Sequence, residues 1–75
     1  MTEIQKTISD YLRRSAGNGN HISDHTATCF LGMLQTGEAT LADFRQVAGD
    51  GYGYVVTRIR ETAQALNLNV PGDGY

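Results

Sequence analysis

The chain has 75 residues, enough for one small domain, and a chain of this size buries only about 60% of its unfolded surface. Its hydrophobic content of 40% is too high for a disordered chain, and its single cysteine, Cys29, excludes an internal disulfide and fits a reducing compartment. Eight acidic residues outweigh six basic ones, and the net charge of -2 argues against broad nonspecific affinity for nucleic acid.

The first helix is predicted over residues 3–16. Thr2 and Gln5 have the spacing of a capping box, which satisfies backbone N–H groups where a helix begins. Apolar side chains recur at i, i+4, i+7 and i+8, the pattern of one helical face. They are Ile4, Ile8, Tyr11 and Leu12. Gly17 is expected to end this helix, because glycine readily adopts the left-handed conformation found after helix ends.

The second helix is predicted over residues 24–36, after a flexible connector, GNGNHIS, at 17–23. Ser23 or Asp24 can cap its first turn. Its buried face is expected to consist of Ala27, Phe30, Leu31 and Leu34. Gly32 lies inside this helix, where glycine costs about 1 kcal/mol relative to alanine, and it could allow another helix to approach closely.

Two further helices are predicted over residues 41–48, capped by Thr40, and over residues 53–66. Their apolar residues at helical spacing are Leu41, Phe44, Val47 and Ala48 in the third helix and Val55, Ile59, Ala63 and Leu66 in the fourth. Alternating apolar residues at 68–70 allow a very short strand. The fold expected is therefore a single all-α or mostly α domain, residues 1–75, of four helices with at most a tiny C-terminal strand.

The segment GDGYGY, Gly49 to Tyr54, separates the last two helices, and GDGY returns as the last four residues. A dinucleotide-binding GxGxxG follows a strand, whereas these glycines follow a helix and have the spacing GxGxG. A P-loop needs Gly-Lys-Ser/Thr, and a calcium loop needs several oxygen ligands besides Asp50. The segment is therefore predicted to be a turn in which Gly49 and Gly51 supply positive φ angles. Two helices joined by a short glycine-bearing turn are the layout of a helix-turn-helix.

Residues 27–70 resemble the small helix-turn-helix domains of winged-helix type that are common in phage and mobile-element proteins. Three segments carry this resemblance. The end of the family's first helix is similar to FLGMLQTG, and its turn with the second helix is similar to EATLADFRQVAG. The family's recognition helix, with its step into a strand, is similar to VVTRIRETAQALNLNV. The resemblance implies a DNA-binding transcription regulator whose last helix enters the major groove. In the role it implies, phosphates or guanine edges are contacted by Arg45, Arg58 and Arg60, and a DNA backbone or a partner is contacted by Tyr52, Tyr54 and Thr57.

A second interpretation of these residues is a solvated surface, with Glu61 and Asp43 near the arginines. The chain also departs from the family in two ways, because no β-hairpin wing is predicted after Val70 and the net charge is negative. In size and charge alone it resembles acidic phage proteins that block host defences, including anti-CRISPR proteins. The alternative function is therefore an inhibitor that covers the nucleic-acid-binding surface of a host effector protein. A homodimer formed through the first helix also remains open.

His21, His25 and Cys29 are spaced four residues apart, as metal ligands on one helix can be. His21 precedes the predicted cap and Cys29 is expected to pack, so ordinary helix histidines and a buried thiol are favoured over a zinc site. A Cys–His nucleophile pair on adjacent turns would lack a cleft and oxyanion donors. We therefore expect a non-enzymatic binding module with no catalytic residue, no metal, no other cofactor and no small-molecule substrate.

The N-terminal sequence MTEIQKTI has no basic region followed by an apolar run, so no signal peptide is predicted. No apolar stretch approaches the roughly 18 residues of a membrane helix. These features predict a cytoplasmic protein without a membrane partner, which binds a DNA duplex or a host effector protein.

Overall fold

The computed structural model describes residues 1–16 and 22–72. Its elements are α1 (Glu3–Ala16), α2 (Asp24–Thr36), α3 (Leu41–Ala48), a turn of 3-10 helix (Gly49–Gly51) and α4 (Tyr52–Ala65). The predicted mostly α class is confirmed. The count of four separate helices is not, because α3 continues through the 3-10 turn into α4, so the described helical residues form three uninterrupted stretches. In this described part, no helix is long and apolar enough to cross a bilayer.

Several sequence expectations fall outside the described residues. They concern Gly17 as a helix end, most of the connector at 17–23, His21, and the last three residues of the repeated GDGY. Gly37 is described, and it ends α2 with a left-handed φ of 81° and its N–H bonded to the carbonyl of Leu34 at 3.2 Å.

The predicted C-terminal strand at 68–70 is absent from the described residues. The Leu68 N–H donates to the Ala63 carbonyl at 2.7 Å, and the Gln35 side-chain amide donates to the Asn69 carbonyl at 2.8 Å. This segment therefore bonds to the end of α4 and to α2. A strand requires a neighbouring strand to complete its backbone bonding, and none lies beside it in the described structure.

The starts of α1 and α3 are joined by one buried glutamine. The predicted capping box of α1 is present, since Thr2 and Gln5 exchange two hydrogen bonds of 3.2 Å. The Gln5 amide also donates to Asp43 Oδ1 at 2.9 Å, and Asp43 Oδ2 accepts the Thr40 N–H at 2.9 Å. Gln5 is buried, and these contacts satisfy its amide.

The core is built around two phenylalanines from different helices. Phe30 and Phe44 meet edge to face with ring centroids 4.9 Å apart, and Tyr11 makes a second edge contact with Phe30 at 5.8 Å. Such pairs contribute about 0.5–1.5 kcal/mol beyond their buried area. The aliphatic residues buried around them are Ile8, Ile22, Ala27, Leu31, Leu34, Ala39, Val55, Ile59 and Ala63. The predicted buried face of the second helix is confirmed.

α4 packs on α2 through residues at i, i+4 and i+8, namely Val55, Ile59 and Ala63, which are all buried. Leu66 was expected to extend this face, and that expectation is wrong, because its side chain is 52% exposed. The helix ends at Ala65, so the residue after it no longer follows the helical spacing.

The chain changes direction at Gly49, whose φ of 56° and ψ of -122° lie in a region that only glycine occupies readily. The predicted positive φ at this position is confirmed. The one predicted for Gly51 is wrong, because its φ is -82°. Gly32 is exposed and a Cβ there would meet no atom within 4 Å, so it does not provide the close helix approach proposed for it.

Candidate nucleic-acid interface

The six residues expected to contact DNA do not share one surface. An α-helix turns about 100° per residue, so side chains at Arg58 and Arg60 leave α4 about 200° apart. Tyr54 and Arg58 lie on the flank of α4 that faces α2. Tyr52 and Arg60 lie on the flank that faces α3, beside Arg45. The two arginines on which the recognition-helix interpretation depends are therefore separated.

Arg58 ties α4 to α2. Its Nη2 donates to Asp24 Oδ1 at 2.6 Å and to the Ile22 carbonyl at 3.4 Å, while Nη1 donates to Glu61 Oε1 at 3.2 Å. The side chain is only 24% exposed. Its hydrogen bonds with Asp24 and Glu61 raise the pKa of Arg58. A groove contact by this guanidinium would require breaking these bonds.

Tyr54, one helical turn before Arg58 in α4, also forms a hydrogen bond with Ile22. Its hydroxyl oxygen accepts the Ile22 N–H at 3.2 Å. Tyr54 and Arg58 together bind both backbone groups of Ile22, a buried residue that lies just before α2. Two of the six expected contact residues therefore fix where α2 begins relative to α4.

A cleft of about 360 Å³ between α3, α4 and the C-terminal segment is lined by Arg45, Tyr52 and Arg60. The Arg45 guanidinium lies over the Tyr52 ring, 5.2 Å from its centroid, in a cation–π contact. The remaining described lining residues are Leu41, Ala42 and Gly72. The cleft is thus lined by one arginine from each of two helices and by an aromatic ring that contacts Arg45.

The solvent face of α4 lies between its two flanks. It consists of Gly53, Thr57, Glu61 and Gln64, spaced at i, i+4, i+8 and i+11, and all are exposed. The Thr57 hydroxyl donates to the Gly53 carbonyl at 2.7 Å, which leaves its oxygen able to accept. Sequence reasoning identified Thr57 but missed Glu61 and Gln64 on this face. Helical spacing from Thr57 was the signal that could have found them.

His25 and Cys29 lie on adjacent turns of α2, with Nε2 and Sγ 3.7 Å apart. A hydrogen bond with the half-buried Cys29 thiol raises the pKa of Tyr11, so the thiol also faces α1. No group of three potential metal ligands occurs among the described residues, and His21 lies outside them.

No known protein family, curated protein or solved structure matches this chain.

Proposed function

We propose that the protein is a DNA-binding regulator of phage or mobile-element type, with α3 and α4 as its helix-turn-helix. In this proposal the solvent face of α4 lies in the major groove, and the flank that carries Arg60 runs along a phosphate backbone. The supporting observation is the cleft that Arg45 and Arg60 line together with Tyr52, whose ring contacts Arg45.

The chemistry of this cleft suits a DNA backbone. Guanidinium groups bind phosphates through planar pairs of hydrogen bonds, and they release counterions when they do so. The Tyr52 ring beneath Arg45 restricts that side chain, so less conformational entropy is lost on binding. A local pair of arginines can act in this way even in a chain of net charge -2, because phosphates within a Debye length respond to the nearest charges.

The proposed contact set is smaller than the one the sequence implies. It keeps Arg45, Tyr52, Thr57 and Arg60. Arg58 is instead assigned, with Tyr54, to holding α4 at a fixed position on α2.

The test is binding to a mixed pool of duplex DNA over a salt series, with wild type and the Arg45→Ala/Arg60→Ala double variant. We expect the double variant to bind several-fold more weakly. Its slope of log affinity against log salt should be shallower by about 1.8, since each lost phosphate contact removes about 0.9.

The matched control is Arg13→Ala/Arg14→Ala, which removes the same charge from exposed positions at the end of α1. It should keep the wild-type slope. Equal slopes for wild type and the Arg45/Arg60 variant, with the fold intact by circular dichroism, would overturn the proposed surface.

The second candidate function is an acidic inhibitor of a host defence protein. It is favoured by the groove between α2 and α4, where Asp24 and Glu61 lie beside Ala65 and Leu66. The Asp24 side chain is 94% exposed, and a basic nucleic-acid-binding surface is the complementary partner. The test is co-purification from host lysate with wild type and an Asp24→Lys variant. A stable partner that the variant loses supports this function, and the absence of any stable partner counts against it.

A further inference from the structure

We infer that Glu61 determines the sequence specificity of this surface by accepting a hydrogen bond from the exocyclic amino group of cytosine in the major groove. This inference rests on the proposed DNA-binding function, and it names a base reader that the arginines of the cleft cannot supply. Phosphate contacts position a protein on DNA, whereas contacts to base edges specify the sequence.

Glu61 has the right place for such a contact. It lies on the solvent face of α4, one turn after Thr57, and its side chain is 58% exposed. Of the charged residues of α4, Arg58 and Arg60 lie on the flanks, so Glu61 is the charged group on the face between them. In the proposed docking this face is the one directed at the bases.

The carboxylate is held in position by a chain of bonds that reaches the core. Arg58 Nη1 donates to Glu61 Oε1 at 3.2 Å. The same guanidinium is anchored by Asp24 at 2.6 Å and by the carbonyl of buried Ile22 at 3.4 Å. An ionised carboxylate has two oxygens and about four acceptor sites, so a bond to Arg58 leaves acceptor capacity for a ligand. An acceptor fixed in this way loses little conformational entropy when it binds a base.

Electrostatics make this carboxylate selective. Arg58 is shared between Asp24 and Glu61, so the three groups together carry a net negative charge. Bringing that charge to DNA is unfavourable unless a donor meets it. Cytosine presents its N4 amino group in the major groove without an adjacent acceptor on the same base, whereas adenine presents its N6 amino group beside the N7 acceptor, which repels a carboxylate, and guanine and thymine present acceptors. Glu61 would therefore reject wrong bases as well as bind the right one.

The experiment starts with selection of binding sites from a random duplex pool by wild type, Glu61→Gln and Glu3→Gln. Affinities are then measured for the selected site and for its single-position variants. Glu3→Gln is the matched control, because it removes one exposed carboxylate on α1 and changes the net charge equally. We expect wild type and Glu3→Gln to prefer cytosine at one position by roughly ten-fold.

Glu61→Gln should reduce that preference to within about two-fold while its affinity for unrelated duplex rises, since a repulsive charge is gone. Asp24→Asn, which loosens Arg58, should reduce the preference partly. A Glu61→Gln variant that binds and keeps the full preference overturns the inference alone. If wild type binds no duplex even at low salt, the proposed function and this inference both fail. Melting curves show whether each variant is folded.

Discussion

Gly49 is the residue at which α3 turns towards α4, and its conformation is closed to other residues. A Cβ there would meet no atom within 4 Å, so space does not require glycine. The backbone does, because φ is 56° with ψ at -122°. The turn that creates the proposed helix-turn-helix therefore depends on a single backbone torsion.

We expect Gly49→Ala to lower the free energy of unfolding by about 1–3 kcal/mol, the cost of forcing a side chain into this region. Gly32→Ala is the matched control, since Gly32 is exposed inside α2 and a Cβ there also meets open space. That change should stabilise the protein by up to about 1 kcal/mol. Urea unfolding of the three proteins measures both effects. If Gly49→Ala lowers the free energy of unfolding by no more than the size of the change caused by Gly32→Ala, the backbone conformation at Gly49 is not costly for alanine.

The sequence predicted a positive φ at both Gly49 and Gly51, and only Gly49 has one. Gly49 and Gly51 are equally permissive residues, and local propensity does not distinguish them. The choice follows from how α3 and α4 pack, since the 3-10 turn places Gly51 at a φ of -82°. That packing involves the whole fold, so the local sequence cannot predict it.

At the scale of elements, local signals in the sequence predict the helices and their caps. They do not predict which neighbouring helix each flank of α4 faces. The pair Thr2 and Gln5 predicted the start of α1, and the stripe of Val55, Ile59 and Ala63 predicted the buried face of α4. Both flanks of α4 carry an arginine, so periodicity cannot assign Arg58 to α2 and Arg60 to α3. Only tertiary partners such as Asp24 make that assignment.

The junction between α1 and α3 should make stability depend on acid pH. The Thr40 N–H and then the Gln5 amide stabilise the carboxylate of Asp43, and they lower its pKa below the ordinary value of about 4. Between the lowered pKa of Asp43 in the folded protein and its ordinary pKa in the unfolded chain, the unfolded chain binds more protons than the folded one, so stability rises with pH. The contribution is complete above about pH 4 and is lost as pH falls through the lower, folded-state pKa.

We therefore expect Asp43→Asn to be less stable than wild type near neutral pH and to lose less stability on acidification. Urea midpoints measured at intervals from pH 7 to pH 2 would show the two curves converging at low pH. Asp50→Asn, in the exposed 3-10 turn, is the control for removing a carboxylate, and its acid limb should follow that of wild type. Parallel curves for Asp43→Asn and wild type would contradict the assigned role.

At the scale of the whole molecule, the distribution of charge matters more than its sum. The net charge of -2 is the sum of different local surfaces, which include a cleft lined by Arg45 and Arg60 on the α3 flank of α4 and the exposed Asp24 carboxylate on the α2 flank. The net charge motivates the inhibitor hypothesis, whereas the proposed DNA interface depends on the local arrangement of Arg45 and Arg60. In the proposed docking, each chain neutralises only the phosphates near Arg45 and Arg60.

This limit gives a quantitative expectation for the intact protein on duplex DNA. Two phosphate contacts per chain imply a slope of log affinity against log salt of about -1.8 for one bound chain, and about -3.6 for two. Fluorescence anisotropy over a salt series gives the slope, and sedimentation gives the number of chains bound.

A one-chain complex with a much steeper slope would mean that Lys6, Arg13 and Arg14 of α1 also reach the backbone. The contact surface would then extend beyond α3 and α4, and the docking proposed for α4 would have to be abandoned. A slope near -1.8 for one chain would instead mean that affinity depends chiefly on base contacts. In the proposed docking, these contacts are made by the solvent face of α4.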